Sequence, residues 1–109
     1  MIRAILLTTS LALGACADAT NAADDVARRS AKAAVSEALV LYVPQVPSAA
    51  VTPVTDCIID NSDLRELRTF AGDAVTGVDQ ATVALATTVL QRPDTQQCIG
   101  TAGLTALAA

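Results

Sequence analysis

The placement of four prolines constrains this chain more than any other feature. Pro44, Pro47, Pro53 and Pro93 are the only ones in 109 residues. Each removes a backbone donor and steers the residue before it away from helix. Between these cuts, apolar residues recur at i, i+3 and i+4, the spacing of a single helix face. From Ala22 to Val43 the stripe is Ala23, Ala27, Ala31, Ala34, Ala38 and Leu41, with Val35 and Tyr42 beside it. Asp24, Asp25, Arg28, Arg29, Lys32 and Ser36 fall elsewhere. Asn21 supplies a cap, and two aspartates in the first turn suit the positive end of the helix dipole. Pro44 and Pro47 end this helix, with Gln45-Val46 extended between them.

Thr52-Pro53 reads as a cap followed by proline at the first helical position. The short helix it opens carries Val54, Cys57 and Ile58 inward. Asn61-Ser62 caps a third helix, with Leu64, Leu67, Phe70 and Ala71 as its stripe and Gly72 as its stop. Thr76-Gly-Val-Asp79 has the form of a capping box. The clearest amphipathic helix follows it, with Val78, Ala81, Leu85, Ala86, Val89 and Thr82 on one face, ending before Pro93. Pro93-Asp94-Thr95 opens a last helix carrying Cys98, Ile99 and Ala102, and from Gly100 the tail is apolar and glycine-broken. Strand-like alternation is nowhere sustained. The expected fold is therefore all-α, a small bundle of four to five helices over residues 22–109.

The N-terminus reads as an address. Arg3 precedes an uncharged run from Ala4 to Leu13, then Leu13-Gly14-Ala15-Cys16. A basic start, a short apolar segment and small residues before a cut site are the parts of a secretory signal, and ten residues are too few to cross a bilayer, which takes roughly 20. Leu13-Gly14-Ala15-Cys16 resembles the bacterial lipobox, which implies cleavage after residue 15 and lipidation of Cys16. Acyl chains on that cysteine would be the membrane partner. Ala17 after it, where aspartate would favour the inner membrane, points to the periplasmic face of the outer membrane. Residues 16–21 then form the lipidated cysteine and a short polar tether. Ala15-Cys16-Ala17 also fits an ordinary A-x-A cleavage site, and that alternative yields a soluble periplasmic protein.

Loss of residues 1–15 leaves 94 of the 109, enough for one domain with a thin core. Phe70 and Tyr42 are the only aromatics. With Arg3 removed, six basic residues stand against eleven acidic ones, a net charge of −5. An acidic, aromatic-poor domain lacks the phosphate-neutralising patch and stacking platforms of nucleic-acid binders. Once Cys16 is lipidated or cleaved away, Cys57 and Cys98 remain, and an oxidising compartment joins them as a disulfide.

Catalytic constellations are missing in kind. The chain has no histidine, so Ser-His and Cys-His pairs are excluded and any metal site would have only carboxylates. There is no P-loop or G-x-G-x-x-G, and no cofactor or metal is expected. Asp56, Asp60 and Asp63 crowd around Cys57. They read either as a hard-cation or acid/base site or as helix-end chemistry, and helix-end chemistry is the expectation here because the spacing lacks the glycine and distant glutamate of a calcium loop. Arg28, Arg29 and Lys32, the one basic cluster, lean on anionic lipid or form a solvated face balanced by Asp24 and Asp25 at i, i+4; the solvated face is expected.

Pro53-Val-Thr-Asp-Cys-Ile-Ile-Asp-Asn-Ser62 and Arg92-Pro-Asp-Thr-Gln-Gln-Cys-Ile99 resemble segments of small two-cysteine lipoproteins of alphaproteobacteria. The resemblance implies a shared fold and no established activity. Some proteins of that group carry a succinate dehydrogenase label. A flavin or iron–sulfur subunit needs a nucleotide fold, histidine or clustered cysteines, which this chain lacks. The functional expectation is a non-enzymatic envelope lipoprotein acting on another envelope protein by contact. The alternative is a small binding module for an apolar or lipidic ligand, and an enzyme using Asp56 or Asp60 ranks last.

Overall fold

In a computed structural model, the backbone is described for residues 11–108 and the side chains for residues 24–102. Most of the expected leader, residues 1–10, lies outside them, as does the Cys16 side chain. The described backbone forms five helices: α1 (Leu11–Tyr42), α2 (Ser48–Asp60), α3 (Leu64–Thr76), α4 (Gln80–Leu90) and α5 (Pro93–Ala108). No strand occurs among the described residues, and the domain is the all-α bundle its periodicity requires.

Sequence-distant contacts fix the helix directions. Lys32 meets Asp56 and Arg28 meets Asp60, so α2 runs antiparallel to α1. Thr82 reaches Asp73 and Arg92 reaches Glu66, so α4 runs antiparallel to α3. Arg92 also bonds the Asn61 carbonyl and Cys98 is joined to Cys57, so α5 runs antiparallel to α2. The end of α2 and the starts of α3 and α5 therefore meet at one end of the bundle. The α1–α2 connector lies at the other.

The core is built from Ala31, Ala34, Val35 and Leu39 of α1, Val54, Ile58 and Ile59 of α2, Phe70 of α3, and Ala86 and Val89 of α4. α1 packs most extensively against α3. Alanines on the α1 face let its neighbours approach closely, and Phe70, fully buried, fills the space they leave.

Several boundaries differ from the sequence reading, each for a local reason. α1 already runs helically through residues 16–21, expected as an irregular tether. This stretch holds two alanines, the strongest helix former, and no proline or glycine. α2 begins at Ser48, so Pro53 sits inside it rather than at its first position. A proline there forgoes its bond to the Ala49 carbonyl, a single loss near the helix start. Asn61 and Ser62 close α2 instead of opening α3: their side chains bond back to the Cys57 and Ile58 carbonyls at 2.8 and 2.7 Å. The cap of α3 is Asp63, whose carboxylate accepts from the Glu66 N–H at 2.8 Å while Glu66 accepts from the Asp63 N–H at 2.9 Å. α3 passes through Gly72 and stops at Gly77, where φ is +106°. Asp79, not Thr76, caps α4, with Thr82 as the reciprocal partner.

The buried face of α1 also turns further than the stripe suggested. Leu39 is buried, whereas Leu41 is 59 % exposed and Tyr42 40 %. At 100° per residue the row Ala31, Val35, Leu39 stays on the core while Leu41 swings away. Leu64 and Ala81, assigned to inward faces, are exposed.

Candidate functional site

The three aspartates around Cys57 serve as fastenings. Asp56 takes the Lys32 ammonium at 3.0 Å and Asp60 takes Arg28 at 3.4 Å. The i, i+4 spacing on α2 thus matches the same spacing on α1, in opposite directions. All four side chains are about half exposed, so these pairs fix register more than they stabilise. Arg28 pairs across to α2 rather than along its own helix to Asp24, correcting the expected local balance. Arg29 makes no ion pair among the described residues. Asp63 is the α3 cap, the helix-end role expected of it.

Cys57 and Cys98 are bonded, with their Cα atoms 5.7 Å apart. Cys57 is buried and Cys98 half-buried. The bond ties α5 to α2, and α5 has little else of its own in the core: Thr95 is its one fully buried described residue. The Thr95 hydroxyl has no hydrogen-bond partner, which makes α5 a costly helix to hold in place.

The strongest polar cluster escaped the sequence reading. Arg92, the residue before α5, forms a two-pronged pair with Glu66: Nη1 donates to Oε1 at 2.8 Å and Nη2 to Oε2 at 2.7 Å. Nη1 also donates to the Asn61 carbonyl at 2.7 Å, closing the end of α2. The Glu66 side chain is only 12 % exposed. The Arg92 guanidinium holds the Glu66 carboxyl below its usual range, against the opposing effect of burial, and the bond from the Asp63 N–H adds to the lowering. The same pairing raises Arg92. One carboxylate therefore caps α3 and anchors the start of α5. A second knot joins α3 to α4: the buried Thr82 hydroxyl donates to Asp73 at 2.9 Å and accepts from the Asp79 N–H at 3.1 Å.

Opposite the Arg92 end, the α1–α2 corner carries no charge from Ala38 to Thr55. A shallow cleft of about 440 Å³ opens there, lined by Leu39, Val40, Val43, Val46, Val51 and neighbouring residues. Val40 and Leu41 stand exposed beside it. Elsewhere among the described residues, no three acidic, cysteine or histidine side chains converge as metal ligands, and no helix is long and apolar enough to cross a membrane.

No family model, curated protein or solved structure matches the chain.

Proposed function

We propose that this chain is an exported lipoprotein, cut before Cys16 and lipidated there, whose helical domain works in the cell envelope by contact with another protein. What supports this reading is the division between the two ends of the bundle. The acidic and basic side chains around Cys57 and Arg92 are spent on joining helices. Three of the six large apolar side chains exposed among the described residues, Val40, Leu41 and Tyr42, stand together at the uncharged α1–α2 corner, and along α1 that corner lies roughly 35 Å from Cys16, at 1.5 Å per residue. An anchor at one end and an apolar surface at the other suit a module held on a membrane and presented to something beyond it. The favoured address is the periplasmic face of the outer membrane, and the soluble periplasmic alternative rests on the A-x-A site.

Two experiments test the reading. Cys16→Ser should abolish acylation and leave unprocessed precursor, whereas normal cleavage of that variant to a soluble product would refute lipidation. A photo-crosslinking residue at Leu41 in intact cells should trap a discrete protein adduct that depends on Cys16. A pattern no different from that of an unrelated lipidated control would remove the contact reading. The cleft favours a second reading, in which an apolar or lipidic ligand lies between Val40 and Val51. Native mass spectrometry of protein purified from its host tests it, and a ligand-free mass refutes it.

A further inference from the structure

The outward face of α1 is complementary to itself. Val26, Arg29, Ala33, Glu37 and Val40 are all exposed, with Val26 and Val40 each 62 % accessible. At 100° per residue they fall within an arc of about 80°, on the side of the helix away from the core. Arg28 and Lys32 are engaged by α2, while Arg29 and Glu37 make no ion pair among the described residues. The five are symmetric about Ala33, with an opposite charge four residues to either side and a valine seven residues to either side.

A second α1 laid antiparallel with its centre at Ala33 brings each Val26 against the partner's Val40. It brings each Arg29 against the partner's Glu37, and the two Ala33 side chains together. This is the arrangement a two-fold axis requires: residue i meets j, and j meets i. A parallel pairing would instead set like charges side by side. The small side chain at the centre lets two helices approach to the 8–10 Å of ordinary packing.

We infer that the outward face of α1 is a homodimer interface, its occupant a second copy of this chain in antiparallel register about Ala33. The face spans roughly 21 Å of helix from Val26 to Val40, so the contact is at the small, reversible end of protein interfaces. The two valine pairs supply apolar burial, and the charge pairs choose the orientation. The inference does not rest on the contact function proposed above: the face shares only Val40 with that corner, and the pairing needs neither lipid nor partner protein.

Charge reversal in the full chain, purified in mild detergent, provides the test. Sedimentation between about 10 and 500 µM, the range a small interface requires, should reveal a monomer–dimer equilibrium. Arg29→Glu alone and Glu37→Arg alone should each weaken dimerisation about tenfold, because each places two like-charge contacts across the axis. The double variant Arg29→Glu/Glu37→Arg should recover it. Ala33→Cys should form an intermolecular disulfide under mild oxidation. A chain monomeric throughout this range, a dimer indifferent to the single reversals, a double variant no better than the singles, or an Ala33→Cys chain that stays uncrosslinked would each overturn the proposal.

Discussion

Reducing the Cys57–Cys98 bond, or replacing Cys98 with serine, should lower the melting temperature by at least about 10 °C. The two cysteines are 41 residues apart, and closing a loop of that size removes roughly 4 kcal/mol of chain entropy from the unfolded state. A domain of this length loses several degrees per kcal/mol. The folded state adds a local effect. α5 contributes one fully buried described residue, Thr95, whose hydroxyl is unpartnered, so without the bond only half-buried apolar contacts and the Arg92 clasp hold it. The damage should be uneven. Hydrogen exchange in the reduced protein should quicken most in α5 and least in the stretch of α1 around Ala34 and Val35. Calorimetry with and without reductant, followed by exchange on both forms, measures both parts. A reduced protein melting within a degree or two of the oxidised one would refute the entropic argument, and a uniform rise in exchange would refute the local one.

Phe70→Ala should cost about 3–5 kcal/mol, since the ring is fully buried against small side chains that leave little to collapse into the gap; chemical denaturation measures it. Gly77→Ala should cost about 1–3 kcal/mol although a Cβ there meets nothing within 4 Å, because φ of +106° with ψ of 141° is a conformation for glycine. Glu66 has a lowered folded-state pKa, so its contribution is complete above its usual value near 4.5 and is lost as pH falls through the lower folded value. Wild-type stability should drop steeply in that acid window, and Glu66→Gln should flatten the drop; equal acid sensitivity in both proteins would show that the clasp is not the cause.

Features whose chemistry is local were legible in the sequence. The α1 stripe from Ala31 to Ala38, the stops at Pro44 and Pro93, the amphipathic α4 and the assignment of Cys57 to Cys98 all follow from spacing or from elimination. The α3 cap slipped by one or two residues because Asn61, Ser62 and Asp63 are all good capping residues, and only their side-chain bonds tell which helix each one serves. Asp63-Leu-Arg-Glu66 does carry a capping-box spacing, a signal that competed with the adjacent Asn61-Ser62. The Arg92–Glu66 pair left no such trace. Its members are 26 residues apart, and nothing in the sequence says that the start of α5 returns to the start of α3. Pairing of Arg28 with Asp60 rather than Asp24 was hidden for the same reason, since Arg28 has Asp24 one helical turn away on its own helix.

These fastenings are also unevenly distributed, and that sets how the bundle opens. Arg28–Asp60, the Asn61 and Ser62 bonds, the Asp63 cap and the Arg92–Glu66 clasp all gather where α2 ends and α3 and α5 begin. At the opposite corner stand backbone bonds from Val43 to Leu39, Val46 to Val43 and Ala50 to Pro47, a single hydroxyl bond between Ser36 and Thr55 behind them, a proline within α2, and the cleft. Segments with few buried contacts and exposed backbone bonds open first. Val40, Leu41 and Val46 to Val51 should therefore exchange their amide hydrogens well before Ile58 to Asn61, on the same two helices. Surfaces that must adapt to a partner are drawn from the less stable end of a fold, so the exposed apolar corner is also the part of the bundle best able to rearrange. If amides around Val40 and Val51 proved as protected as those around Ile58 and Ile59, the corner would be as rigid as the clasped end, and this account of where the bundle yields would be wrong.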